Sequence, residues 1–109
     1  MKTNYKTEFP RYDDELPTLK GFTDSSWHND ACPSLMKHLD DSTFVQIFCD
    51  YKDKAESDFA DLDGDNYYRY TVMLANGEKD WSITLTESNY WKTIEEYITT
   101  RFNVGGYSL

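Results

Sequence analysis

Hydrophobic and polar residues alternate most clearly between residues 43 and 51. Every second position from Val45 to Tyr51 is apolar, which is the two-residue period of a β-strand. Phe44 and Phe48 fall on the opposite face, among polar neighbours. Because both faces carry large apolar side chains, the pattern predicts that this strand is central in its sheet.

Two more alternating stretches lie on either side of Asn76-Gly77. Residues 67–75 and 81–86 each place apolar side chains on one side, namely Tyr68, Tyr70, Val72 and Leu74 in the first and Trp81, Ile83 and Leu85 in the second. Asn-Gly is the strongest short signal for a two-residue hairpin turn, in which both residues have positive φ. The sequence therefore predicts an antiparallel hairpin.

After Glu87 the apolar period becomes helical. Ser88 or Asn89 is available as the N-cap, and Gly105-Gly106 follows the last apolar position as a stop signal. The helical positions are Tyr90, Trp91, Ile94, Tyr97, Ile98 and Phe102. The predicted fold class is α+β, an antiparallel meander of three to four strands with one C-terminal helix packed on one face.

The first third of the chain gives weaker signals. Residues 1–20, which include Pro10 and Pro17, are expected to form an extended arm, and residues 21–33 an ordered loop anchored by Phe22 and Trp27. Residues 34–39 fit either a short strand or one helical turn. We predict a single domain over residues 1–109, with the arm at 1–20, the loop and sheet at 21–87 and the helix at 88–102.

The composition indicates a folded, acidic protein. The formal net charge is −9, and the aromatic content of 17% supplies the buried area that an acidic, polar chain needs to fold. No apolar run approaches the length of a membrane span, and the N-terminus lacks the apolar core of a signal peptide. We therefore expect a cytoplasmic protein without membrane contact, in which Cys32 and Cys49 are small buried hydrophobic residues.

Seven acidic residues lie in one short segment, from Asp50 to Asp65, that follows the predicted central strand. Their dense negative charge repels nucleic acid and attracts basic surfaces, including those with which proteins hold DNA or RNA. Tyrosines from Tyr67 to Tyr70 are expected to add contact area beside it. The predicted partner-binding residues are Asp50, Asp53, Glu56, Asp58, Asp61, Asp63, Asp65 and Tyr67.

Metal and catalytic sites find little support. An EF-hand loop counted from Asp61 lacks Gly at the sixth position and Glu at the twelfth, and the spacing of His28, Cys32, His38 and Cys49 matches no common zinc site. A cysteine–histidine nucleophile pair is conceivable, but a thiol on the apolar face of a strand has a raised pKa and is inert. No phosphate-binding or hydrolase motif is present. We predict no enzymatic activity and no cofactor.

Residues 27–34, Trp-His-Asn-Asp-Ala-Cys-Pro-Ser, form the most distinctive run, and turn chemistry favours a rigid loop. Together with the following strand, this run resembles short uncharacterised bacterial and phage proteins with a Trp-x-Asn-Asp-x-Cys-Pro-Ser signature, across about residues 22–51. The resemblance implies a bacterial or mobile-element origin and transfers no functional residue. In size and acidity the chain is also similar to phage anti-defence inhibitors of the anti-CRISPR type.

Two functional hypotheses follow. The first is a non-enzymatic inhibitor that occupies a basic, nucleic-acid-binding surface of a partner protein without binding nucleic acid itself. The alternative is an accessory or immunity-type interaction domain, in which acidity serves only solubility. Salt dependence of binding separates the two hypotheses. The identity of the partner and the oligomeric state are left open by the sequence.

Overall fold

The computed structural model describes residues 4–12, 14–52 and 68–102. Five strands and two helices are present in this part of the chain, and they confirm the α+β class, with five strands rather than three to four. In chain order the elements are α1 (Tyr5–Glu8), β1 (Thr23–Asp24), β2 (Ser34–His38), β3 (Thr43–Cys49), β4 (Tyr70–Asn76), β5 (Trp81–Ser88) and α2 (Trp91–Phe102).

The five strands form one antiparallel meander in the order β1-β2-β3-β4-β5. The predicted central strand is confirmed, because β3 pairs with β2 on one side and β4 on the other. Residues 34–39, left ambiguous by the sequence, contain β2, and the loop predicted at residues 21–33 contains the short strand β1. Both were hard to recognise because each is short and lacks a long alternating pattern.

The core lies between one face of the sheet and α2. In β3 and β4 every second side chain faces this core, and in α2 the side chains at helical spacing do so. The fully buried members are Val45, Ile47, Cys49, Val72, Ile94 and Ile98. Ser88 Oγ accepts a hydrogen bond from the Tyr90 N–H at 3.1 Å, just before the helix begins. Asn89, the other cap candidate, instead accepts one from the Arg69 N–H.

The hairpin differs from the predicted two-residue turn. Asn76 pairs with Trp81, so residues 77–80 form a four-residue loop, and the positive φ of 55° falls on Asp80 rather than on Gly77. Asn76 belongs to the strand because its amide donates to Thr43 Oγ1 on β3 at 2.9 Å and its Oδ1 accepts from the Lys79 N–H. Tertiary hydrogen bonds have therefore overridden the local turn preference.

The sequence suggested an extended N-terminal arm, but the described part of this arm is folded against the sheet. It contains the one-turn helix α1, and its apolar side chains are buried against the rest of the fold, namely Phe9, Tyr12, Leu16 and Leu19. The Tyr5 N–H donates to Asp24 Oδ2 at 2.8 Å, which ties the helix to β1. Packing against β1 and the sheet therefore supplies the order that local propensity does not.

Candidate functional site

The two chain segments that flank residues 53–67 are hydrogen-bonded to each other at one end of the sheet. The Asp50 N–H donates to the Arg69 carbonyl at 2.7 Å, directly beyond the last paired residues of β3 and β4. The segment between them therefore leaves the sheet and rejoins it at the same end. Residues 53–67 carry six carboxylates and one lysine, a net charge of −5 out of −9 for the whole protein.

Arg69 is the centre of this junction. Its guanidinium forms an ion pair with Asp14 of the N-terminal arm, and its Nε donates to the Asp50 carbonyl at 3.3 Å. The Tyr12 hydroxyl donates to the same carbonyl at 3.4 Å. We call these four residues, Tyr12, Asp14, Asp50 and Arg69, the Arg69 cluster. It attaches the arm to the root of the acidic segment.

The surroundings shift the pKa values of Asp14 and Tyr12 in this cluster. The hydrogen bond from Arg69 holds the pKa of the Asp14 carboxyl below its ordinary value. Burial raises the pKa of the Tyr12 hydroxyl, which therefore stays neutral and can donate its proton. The Arg69 guanidinium also lies 5.2 Å from the centre of the Tyr70 ring, a distance at which cation and ring attract each other.

The predicted partner-binding residues fall mostly in the segment that the cluster flanks. Asp53, Glu56, Asp58, Asp61, Asp63, Asp65 and Tyr67 lie outside the described residues. Asp50 is described and is only 5% exposed, and its carboxylate accepts a hydrogen bond from the Tyr51 N–H at 2.7 Å. It therefore has a structural contact at the root of the segment.

The neighbouring tyrosines divide between surface and core. Tyr68 is 40% exposed, as a contact residue would be, whereas Tyr70 is only 5% exposed. Tyr70 packs edge-on against Trp91 of α2, with ring centres 5.4 Å apart. The expectation that Tyr70 supplies accessible contact area was therefore wrong, because the alternation of β4 directs this ring towards the helix.

An open cleft of about 290 Å³ lies beside the same junction. Three parts of the chain line it: the end of α1 with the residues after it, the loop before β2, and Tyr51 after β3. Tyr51 also packs edge-on against Tyr12 of the Arg69 cluster, with ring centres 5.3 Å apart. The cleft and the root of the acidic segment therefore share a wall.

A histidine–carboxylate pair crosses the cleft. Glu8 Oε1 lies 2.9 Å from His28 Nδ1 and accepts a second hydrogen bond from the His28 N–H at 3.0 Å. The side-chain hydrogen bond with His28 is the main reason why the pKa of Glu8 lies below its ordinary value. The pair joins α1 to the loop, so the shape of the cleft depends on it.

Asp30 is a partly buried acid in this cleft, which Arg11 also lines. Partial burial raises the pKa of its carboxyl. No described residue hydrogen-bonds to or forms an ion pair with that carboxylate, although the Asp30 N–H donates to the Trp27 carbonyl. A carboxylate that loses water without gaining a partner favours a cationic ligand.

The loop that carries His28 and Asp30 is held by serines rather than by its tryptophan. Ser26 is fully buried, and its Oγ accepts a hydrogen bond from the Ser34 N–H at 3.1 Å. Trp27 is 47% exposed and lies against the His28 ring, so the prediction that it anchors the loop was wrong. An interior serine network gives no hydrophobic signal, which explains why the sequence pattern missed it.

The two thiols are almost inaccessible to solvent, and Cys49 belongs to the core cluster. Cys32 and Cys49 are both buried and are not joined in a disulfide. Burial raises the pKa of the Cys49 thiol, as its position on the apolar face of β3 predicts. Within residues 4–12, 14–52 and 68–102, no group of three histidine, cysteine or acidic side chains is placed to hold a metal ion.

The fold and the site define an α+β protein with an acidic insertion between its two central strands and a polar cleft at the root of that insertion. No protein-family model, no curated protein and no solved structure matches the chain. Neither helix in the described part of the chain has the length and apolar character needed to cross a membrane.

Proposed function

We propose that this protein is a non-enzymatic binding protein that occupies a cationic surface of a partner protein, of the kind that holds nucleic acid. The observation that carries the proposal is the concentration of charge. Residues 53–67 hold −5 of the net −9, and the hydrogen bond between Asp50 and Arg69 fixes where this segment leaves and rejoins the fold. Clustered carboxylates speed the encounter with a basic surface and compete with phosphates for it.

The cleft supports the same proposal. Its Asp30 carboxylate has a raised pKa and no partner among the described residues, and the rings of Phe9 and Tyr51 line the same space. A lysine or arginine side chain from the partner would supply the missing charge and pack its alkyl stem on the rings. Such a contact would position the partner at the root of the acidic segment.

In cellular terms the proposal describes an inhibitor that competes with nucleic acid for its binding protein. The chain is similar in size and acidity to phage anti-defence inhibitors of the anti-CRISPR type, which makes a nucleic-acid-handling defence protein the first partner to test. Residues outside 53–67 carry a net charge of only −4. This low net charge supports attraction of a basic partner to residues 53–67 rather than to the protein as a whole.

The test compares two variants that have the same net charge. The first reverses Asp58, Asp61, Asp63 and Asp65 to lysine, and the control reverses four exposed acids elsewhere: Glu78, Glu87, Glu95 and Glu96. Each protein is used as bait in pull-downs from the native host at low and high salt. We expect the first variant to lose a nucleic-acid-binding protein that the wild type and the control both capture.

Salt dependence provides the second readout. Capture by the wild type should weaken as salt screens the charges, and added nucleic acid should compete with it. Capture that is insensitive to salt and equal for both variants would overturn the proposal. That result would favour the accessory or immunity-type alternative, in which acidity serves only solubility.

A further inference from the structure

Strand β5 forms an open edge of the sheet. It pairs with β4 on one side, and no described residue pairs with its other side. The opposite edge strand, β1, has only two residues, and its Asp24 already accepts a hydrogen bond from Tyr5. The eight residues of β5 therefore provide the long edge of this sheet, and an open edge leaves backbone donors and acceptors available to another strand.

Most of this edge lacks the charges and prolines that protect edge strands, although β5 carries Glu87 near its end and a bulge at Leu85. Residues 81–86 contain no charge and no proline, and all six are apolar, threonine or serine. A register shift opposite Val72 and Met73 falls at Leu85, so residues 81–84 form a regular strand between the bulge and the hairpin loop. Trp81 and Ile83, in that regular part, are 41% and 51% exposed.

Trp81 and Ile83 differ from Leu85 in their relation to the core. Leu85 packs against the core that α2 completes, whereas Trp81 and Ile83 are outside that core cluster. Two large apolar side chains are thus exposed beside an open strand edge. This combination is typical of a surface that adds a strand from another molecule.

We propose that β5 pairs in antiparallel fashion with β5 of a second copy of this chain, about a two-fold axis at Ile83. An antiparallel pair of identical strands is what a two-fold axis generates. In this register Ile83 faces Ile83 of the second copy, Ser82 faces Thr84, and Trp81 comes beside the bulged Leu85 of the second copy. The two sheets become one continuous sheet of ten strands.

Charge selects both the register and the occupant. The register centred on Ile83 keeps the paired residues uncharged and brings Glu87 towards Lys79 of the second copy. A register centred on Leu85 would instead place the two-fold axis at the bulge and Glu87 opposite Ile83. Two chains of net charge −9 can meet along this uncharged strip, and screening their remaining repulsion should strengthen the dimer as salt increases.

Sedimentation of the full chain tests the dimer. We expect a monomer–dimer equilibrium between low micromolar and several hundred micromolar protein, shifted towards dimer at high salt. Ile83→Lys should abolish the dimer, because it places two ammonium groups opposite each other. Tyr90→Lys, at a 73% exposed apolar residue outside the strand, should leave the dimer unchanged. A wild type that is monomeric throughout would overturn the proposal, as would a dimer unaffected by Ile83→Lys.

Disulfide trapping tests the register independently. Residues on the axis are directly opposite each other, with Cα atoms about 4.5–5.5 Å apart, so Ile83→Cys should form a crosslinked dimer on mild oxidation. Ser82→Cys, offset from its own counterpart, should crosslink far less. The native thiols are buried and contribute little background. A wild-type dimer in which Ile83→Cys fails to crosslink would show a different interface and contradict the proposal.

Discussion

Replacing Arg69 with glutamine removes the charge at the centre of the Arg69 cluster while keeping a polar, though shorter, side chain. The substitution breaks the ion pair with Asp14 and the hydrogen bond from Nε to the Asp50 carbonyl. The backbone bond between Asp50 and Arg69 is unaffected, and the Tyr12 hydroxyl still donates to the Asp50 carbonyl, so no buried acceptor is abandoned. The cost should therefore be moderate.

The expected loss of folding free energy comes mainly from two contributions. The side chains of Arg69 and Asp14 are 17% and 38% exposed, so solvent screens their ion pair, which we value at about 0.5–1 kcal/mol. The lost hydrogen bond to the Asp50 carbonyl contributes about 0.5–1.5 kcal/mol. We expect a total of about 1–2.5 kcal/mol, and every kcal/mol corresponds to a decrease of about 4–8 °C in Tm for a domain near this size.

The pH dependence has a definite sign. Because the hydrogen bond from Arg69 lowers the pKa of Asp14, the native state binds that proton less tightly than the unfolded chain. The resulting stabilisation is complete above the ordinary carboxyl pKa of about 3.9 and is lost as pH falls through the lower pKa of the folded state. The stability difference between wild type and Arg69→Gln should therefore be largest near neutral pH and decrease in acid.

Urea denaturation of four proteins measures the coupling: wild type, Arg69→Gln, Asp14→Asn and the double variant. A double-mutant cycle at neutral pH should give a coupling energy of about 0.5–1 kcal/mol, because the ion pair is counted in both single variants. Repeating the cycle in acid should reduce it. Equal effects of Asp14→Asn in the wild-type and Arg69→Gln backgrounds would refute the assignment of this ion pair as a stabilising contact.

Three further predictions concern the core, the thiols and the cleft. Ile94→Ala, at a fully buried position of α2, should cost about 2–4 kcal/mol in urea denaturation, whereas the exposed Thr93→Ala should change stability by less than about 0.5 kcal/mol; similar values would contradict the assigned helix face. Both buried thiols should react with a thiol reagent only as the protein unfolds, and rapid labelling of the native protein would contradict their burial. His28→Ala should raise the pKa of Glu8 towards its ordinary value in a carboxyl NMR titration, and an unchanged pKa would remove His28 as the cause.

The central part of the fold could be predicted from local pattern. The alternation of Val45, Ile47 and Cys49 specified β3 and its buried face, and the helical period specified α2, because a single period fits each element. The hairpin was predicted as an element, but the details of its turn were not. The Asn76 side chain donates a hydrogen bond to Thr43, thirty-three residues away, and local turn statistics do not include such contacts.

The site was less accessible to sequence reasoning because it depends on distant pairings. Arg69 and Asp14 are separated by fifty-five residues, and Glu8 and His28 by twenty, so neither pair forms a motif. The acidic segment is visible in the sequence because its charges are neighbours along the chain. The cleft beside it is visible only in three dimensions, where the N-terminal arm folds back onto the loop before β2.

The backbone hydrogen bond of 2.7 Å from the Asp50 N–H to the Arg69 carbonyl makes the sheet tolerant of what is inserted there. Both ends of an insertion already meet, so exchanging it for another sequence adds only the slowly growing entropy of loop closure, about 0.6 kcal/mol for each doubling in length. A short turn, a foreign epitope or a longer recognition loop could be grafted at this position while the strands keep their register. The scaffold is thus suited to acquiring new binding specificities by replacement of the segment between β3 and β4.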